Sequence, residues 1–263
     1  MEQLGQGGRP KLDPLPSPLP ILHVVSRTSV VATLALLLAS ARTHAGPTPK
    51  IVVLDPGHGG SNGGTKGNGL DEKVVTLAIS NQVAARLRAQ GVQVEMTRTT
   101  DRTLTLRQRV TTAVKIPADL FISIHANASP TRTQRGYETF VLTPRGVDVD
   151  GRALRSDTQT TRANVDPEIA HMLDDVERGS SQWEAADLAA RMQRSLRERR
   201  GKDGDRGVRQ DSQHVLLGAT MPAVLVEVGF LDHPVEGKEI ADAVVQAQLA
   251  DAIAEAILDQ LAD

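Results

Sequence analysis

KIVVLDPGHGG, residues 50–60, begins as one kind of structure and ends as another. Ile51, Val52, Val53 and Leu54 form a short apolar run rich in β-branched residues, the signature of a buried strand. A proline, a histidine and three glycines follow. Gly and Pro are ordinary loop punctuation, so His58 is either an incidental neighbour or a side chain that the bare loop leaves open to a ligand. Two later strands repeat the pattern. DLFISIHAN (residues 119–127) is mostly apolar up to His125, and PAVLVEVGFL (residues 222–231) carries Glu227 in its middle.

Helical patterns separate these strands. EKVVTLAISNQVAARLRAQG has apolar residues at 74, 75, 78, 79, 83 and 87, with Gly91 as its C-terminal cap. VQVEMTR reads as a short strand, TLRQRVTTAVKI as a second helix ended by Pro117, and GYETFVLT as another strand. WEAADLAARMQRSLRERRG and the segment from Lys238 to Leu261 read as helices. Strands alternating with helices predict a single α/β domain, with a mostly parallel or mixed twisted sheet and helices on both faces. No internal repeat is visible.

The chain has 263 residues, a net charge of −2, 2% aromatic residues and no cysteine. The charge argues against bulk electrostatic binding of nucleic acid, and the scarcity of aromatics against a base-stacking platform. Without cysteine there is no disulfide, no thiolate nucleophile and no Cys-based metal site. A metal would need His, Asp and Glu.

The first 45 residues read as an N-terminal extension and signal peptide. The run from Val30 to Ala39 is apolar, Arg9, Lys11 and Arg27 precede it, and Ala39-Ser40-Ala41 and Thr43-His44-Ala45 are cleavage candidates. The run is short for a bilayer span, and a buried core helix is the alternative. The expectation is export to the periplasm or the cell exterior, with membrane contact only in transit, and a catalytic domain over residues 46–263.

Residues 144–180 interrupt the alternation. The stretch is polar, with a short helix expected from Pro167 to Arg178. An insertion of this length in a compact domain is more often functional or mobile than ordinary. His171 and His233 read as surface residues.

In an open α/β sheet, ligands sit outside the carboxyl ends of the strands. His58, His125 and Glu227 lie at or near such ends, and Glu72 lies in the loop or first helical turn after the glycines. Two imidazoles and one carboxylate make a catalytic zinc set with one position open, and a second carboxylate would serve as base. Spacing does not choose between Glu72 and Glu227 as the ligand. Each residue has a plainer reading: a hydrogen-bonded histidine at a strand end, a helix-start acid for Glu72, a buried salt bridge to arginine for Glu227.

IVVLDPGHGG, GLDEK, TRTTDRTLTLRQRV, ADLFISIHANAS, GYETFVL and MPAVLVEVGFLDHPVE occur here in one order. Together they resemble the zinc-dependent N-acetylmuramoyl-L-alanine amidases of the third amidase type, which cleave bacterial peptidoglycan. The resemblance runs from about residue 50 to the C-terminus and is weakest across 144–180. It implies one Zn2+ ion held by His58, Glu72 and His125, with Glu227 as catalytic base and peptidoglycan as substrate. On this reading the glycines at 57, 59, 60, 63 and 64 keep side chains away from the zinc, and Asp55 or a backbone carbonyl orients the His58 imidazole. Some relatives carry a helix in the inserted segment that plugs the cleft until an activator protein removes it. Here Glu168, Asp174, Asp175 and Glu177 are the carboxylates that would reach the zinc, against a solvated surface helix as the plainer reading. Two other functions remain to be separated: a zinc peptidase acting on another peptidoglycan bond, and a non-catalytic wall-binding or activator protein on the same fold.

Overall fold

The computed structural model describes residues 49–142, 166–211 and 214–263. The expected signal segment, most of the insertion, and the side chains of Glu168, His171, Asp174, Asp175 and Glu177 lie outside what is described.

The chain opens with β1 (Ile51–Pro56), a small antiparallel hairpin of β2 (Lys66–Gly67) and β3 (Leu70–Asp71), then α1 (Glu72–Ala89). There follow β4 (Gln93–Met96), α2 (Leu106–Lys115), β5 (Leu120–Asn127) and β6 (Tyr137–Leu142). The C-terminal half comprises α3 (Pro167–Arg200), β7 (Asp205–Asp211), β8 (Ala223–Phe230), the short α4 (Glu236–Glu239) and α5 (Ala243–Leu261). The six-stranded sheet runs in the order β4-β1-β5-β8-β6-β7. β4, β1, β5 and β8 are mutually parallel, β6 meets β8 antiparallel, and β7 runs parallel to β6. The sheet is therefore mixed and mostly parallel, as the alternation of elements predicts.

Period-two alternation splits the core between two faces. Val52 and Leu54 point to one side, where Val75, Ile79, Val83 and Leu87 of α1, Leu188, Met192 and Leu196 of α3, and Ile253 and Ile257 of α5 cover them. Val53, Phe121 and Leu225 point to the other, against Val110 and Ala113 of α2 and Leu216. Each Val, Leu, Ile, Phe or Met among them, fully buried, contributes about 1.5–3 kcal/mol. Among the described residues, helices thus lie on both faces, α1, α3 and α5 on one and α2 on the other. The apolar stripe of α1 is narrower than its sequence implies, since Val74 is exposed.

Three elements depart from the sequence reading. The expected short helix at 167–178 and the later helix form one continuous helix of 34 residues. Gly179 lies at the junction of the two expected helices, but an interior glycine costs only about 1 kcal/mol, and buried packing of the C-terminal half outweighs it. The final helix starts five residues later than Lys238, where Asp242 accepts hydrogen bonds from Val244 N and Val245 N. DRGVRQD forms β7, a strand with no apolar alternation to announce it; it lies at the sheet edge, where exposed charged residues are tolerated.

Candidate metal centre

The carboxyl ends of β1, β5 and β8 lie side by side in the sheet. His58 follows β1 by two residues, His125 sits near the end of β5, and Glu227 lies opposite His125 in the β5–β8 register. Glu72 is the first residue of α1, which packs beside β1 and β5. These placements bring residues from four separate stretches of sequence to one rim.

The Glu72 carboxylate lies between the two imidazoles. His58 Nε2 is 3.1 Å from Glu72 Oε2, and His125 Nδ1 is 2.9 Å from Glu72 Oε1. The rings meet edge to face, with centroids 4.9 Å apart at 77°. Backbone N–H groups of Thr65 and Ala126 also donate to Glu72, at 2.8 and 3.0 Å. Glu72 is buried while both histidines keep part of their surface in solvent. Burial alone would raise the Glu72 pKa; hydrogen bonds from His125 and His58 overcome it and hold the carboxyl well below the usual range. Burial likewise disfavours charged His58, but its hydrogen bond to Glu72 and the carboxylate charge raise its pKa.

Glu227 has no ion pair among the described residues, so its salt-bridge reading fails. The arginines near this row, Arg206 and Arg209, pair with Glu138, the residue opposite Glu227 on β6. Glu227 Oε2 is buried without a hydrogen-bond partner. Burial, then the neighbouring charges of Glu72 and Glu138, push its pKa well above normal. An orphaned buried carboxylate oxygen has a cost, and it is repaid where a cation or a polar reactant engages it.

The residue that orients His58 is neither Asp55 nor a backbone carbonyl. Asn62 Oδ1 lies 3.0 Å from His58 Nδ1 and also accepts from Gly64 N at 3.2 Å. With Nδ1–H donating to Asn62, Nε2 is the ring nitrogen turned towards Glu72 and the one available to a cation. Asp55 is engaged elsewhere, with Thr97, Ser123 and Arg109. Asn62 was readable only as a polar residue within GGSNGG. Two of the five glycines face the donors: a Cβ on Gly57 would stand 2.6 Å from the His125 ring, and one on Gly64 2.5 Å from Glu72 Oε2. Gly59 and Gly60 instead pack against Arg102 and Thr103, and Gly63 against Asp71. His233 is partly buried, and its Nδ1 accepts from Val235 N and Glu236 N at the start of α4.

The donor atoms of His58, Glu72 and His125 all lie within 4.8 Å of one another. Zinc bonds to nitrogen and carboxylate oxygen at about 2.0–2.2 Å, so two ligands of one ion stand at most ~4.4 Å apart. Both imidazole–carboxylate separations are inside that reach. Two imidazole nitrogens and one carboxylate oxygen, beside an unpartnered second carboxylate, are a donor set that suits such an ion.

Residues 52–259 match the N-acetylmuramoyl-L-alanine amidase family. The amidase AmiA of Escherichia coli (strain K12) is 32% identical over 237 residues, 84% of this chain and 82% of AmiA. YqiI of Bacillus subtilis (strain 168), of uncharacterized function, is 32% identical over 237 residues, 90% of this chain and 97% of its own. Among solved structures, the amidase AmiC2 of Nostoc punctiforme superposes with a TM-score of 0.62 at 30% identity, covering 81% of this chain and 98% of AmiC2. The family match takes in all of the sheet but Ile51 and every strand end that carries a candidate residue, and the chain belongs to the N-acetylmuramoyl-L-alanine amidase family.

Proposed function

We propose that this peptidoglycan amidase works with one zinc ion held by His58, Glu72 and His125, and with Glu227 as its general base. The bond cleaved is the amide joining the lactyl group of N-acetylmuramic acid to L-alanine. The observation that carries the reading is the convergence of two imidazoles on one buried carboxylate beside an unpartnered second one. When bound, zinc supplies a Lewis acid that polarises the scissile carbonyl and acidifies water.

The chain's own groups do the rest. His58 and His125 present ring nitrogens from a partly open rim, where a polymeric substrate can reach them. Asn62 keeps the His58 tautomer, and the Thr65 and Ala126 amides hold Glu72 as the anion. Glu227 accepts a proton from the attacking water and returns it to the departing alanine nitrogen. Burial and the charges of Glu72 and Glu138 raise the Glu227 pKa; a cation held by the neighbouring donors would favour its ionised form, the one a base requires.

The same donors would serve a peptidase acting on another wall bond, and a binding protein could retain them unused. Purified sacculi incubated with the protein, with and without EDTA, separate the three. Free muramic acid termini with intact stem peptides, lost on chelation together with one equivalent of zinc, support the amidase. Cleavage within the stem, or no cleavage by zinc-loaded protein, rejects it. Export fits a peptidoglycan substrate and the apolar run at 30–39. Among the described residues no helix is long and apolar enough to cross a membrane.

A further inference from the structure

Three consecutive carbonyls, those of Pro56, Gly57 and His58, are taken up by two buried arginines. Arg98 donates from Nε to Pro56 O at 3.0 Å and from Nη2 to Gly57 O at 2.7 Å. Arg109 donates from Nη1 to Pro56 O at 2.8 Å and from Nη2 to His58 O at 2.6 Å. Arg98 is wholly shielded from solvent and Arg109 is 4% exposed.

Each guanidinium also grips a second element that carries a metal-ligand candidate. Arg98 Nη2 reaches Lys73 O at 2.8 Å and Thr76 Oγ1 at 3.2 Å in α1, beside Glu72. Arg109 Nη1 bonds Asp55 Oδ1 at 2.7 Å, and Asp55 Oδ2 accepts from Ser123 Oγ at 2.8 Å on β5, two residues before His125. One arginine therefore ties the His58 segment to α1, and the other ties it through Asp55 to β5.

We propose that Arg98 and Arg109 are positioning residues that set the mutual spacing of His58, Glu72 and His125. The inference rests on the zinc reading above and extends it to two residues that touch none of the donor atoms. His58 has φ +58°, a left-handed conformation that a residue with a Cβ keeps only where its surroundings over-determine it. Carbonyls pinned on both sides of His58 supply that constraint. A planar fork with several fixed donors can hold adjacent carbonyls and a neighbouring helix at once; a lysine ammonium is a single point charge and cannot reproduce it. Asn62 fixes which nitrogen His58 presents, while the arginines fix where the ring stands relative to the other two donors.

The test compares Arg98→Lys, Arg109→Lys and Thr76→Val with the wild-type protein; Thr76 Oγ1 donates a further bond to Gly57 O at 2.9 Å. Zinc affinity is measured by chelator competition, coordination geometry by the visible spectrum of the Co(II)-loaded proteins, and folding by circular dichroism and melting in EDTA. Both arginine variants are expected to bind zinc about 10–100-fold more weakly, with an altered Co(II) spectrum and a wild-type fold in EDTA. Thr76→Val should shift the same way by less. Unchanged zinc affinity and spectrum overturn the proposal, and do so even where the EDTA melting temperature falls, since the arginines would then serve only the fold. Should Arg98→Lys fail to fold, Arg109→Lys and Thr76→Val decide by the same criterion. A wild-type protein that takes up no zinc rejects the metal reading itself, a result distinct from wild-type zinc binding that the variants share.

Discussion

Glu227 stands opposite His125 in the β5–β8 register, one strand away from a metal-ligand candidate and with a carboxylate oxygen that nothing in the described chain hydrogen-bonds. A residue so placed is close to the centre without being one of the three converging donors. Glu227→Gln keeps the shape and removes the basicity. It should retain a full equivalent of zinc and lose about 10²–10⁴-fold in turnover. Peptide release from purified sacculi, measured beside metal content, checks both halves. Near wild-type release by this variant assigns the base elsewhere.

Removing an imidazole acts on the metal itself. His125→Ala and His58→Ala should each emerge from dialysis without zinc. Added zinc should raise the melting temperature of wild-type protein, since a ligand that binds only the folded state stabilises it by mass action; at 100 times the dissociation constant the gain is about 2.7 kcal/mol. The two variants should show no such rise. Full zinc content in either one contradicts the ligand set.

The paired shifts at the centre give a pH dependence whose sign can be worked out. His58 is raised above its usual value of 6.5, so its contribution to folding is present below that pH and fades as pH climbs through the folded value. Glu72 is held below its usual 4.5, so its contribution is present above that pH and fades as pH drops through the folded value. Metal-free protein should therefore gain most from this pair between about pH 4.5 and 6.5. Zinc needs the neutral imidazole, and its affinity should weaken on acidification by roughly tenfold per pH unit for each proton displaced. Calorimetry in two buffers of different ionisation enthalpy measures the proton released. Equal zinc affinity at pH 5.5 and 7.5 would contradict this assignment.

Gly64 separates space from chemistry. It has φ +70°, and an added Cβ would meet both Glu72 Oε2 and the His58 ring, at 2.5 and 2.6 Å. Gly64→Ala should weaken zinc binding by at least tenfold, a loss in the range seen when the surroundings of metal ligands are disturbed, with the sheet intact by circular dichroism. Gly69→Ala is the control: it shares a positive φ, +82°, but an added Cβ there would have nothing within 4 Å. If the two variants bind zinc equally well, crowding at Gly64 is not what makes glycine necessary.

The sheet was legible because β1, β5 and β8 are mostly apolar, and because His58, His125 and Glu227 are polar exceptions at or near the strand ends where α/β sheets place their sites. Glu72 was not legible from spacing. An acidic residue at a helix start has an adequate structural explanation, and only its resemblance to a family motif singled it out. The arginines escaped for another reason: Arg98 and Arg109 follow Pro56–His58 by some forty to fifty residues, and nothing local in MTRTTD or LRQRV says that a guanidinium turns inward. β7 carries charge where a strand pattern needs alternation, and its pairing with β6 is a decision of the tertiary fold.

β5, an inner strand of the parallel block, joins β1 on one side and β8 on the other. The converging side chains therefore come within reach of one another only after contacts across long sequence separations have closed, the slow kind in folding. If zinc binds as proposed, it should find its full ligand set only once β1, β5 and α1 have come together, and the time course of zinc uptake on refolding would then report completion of the sheet.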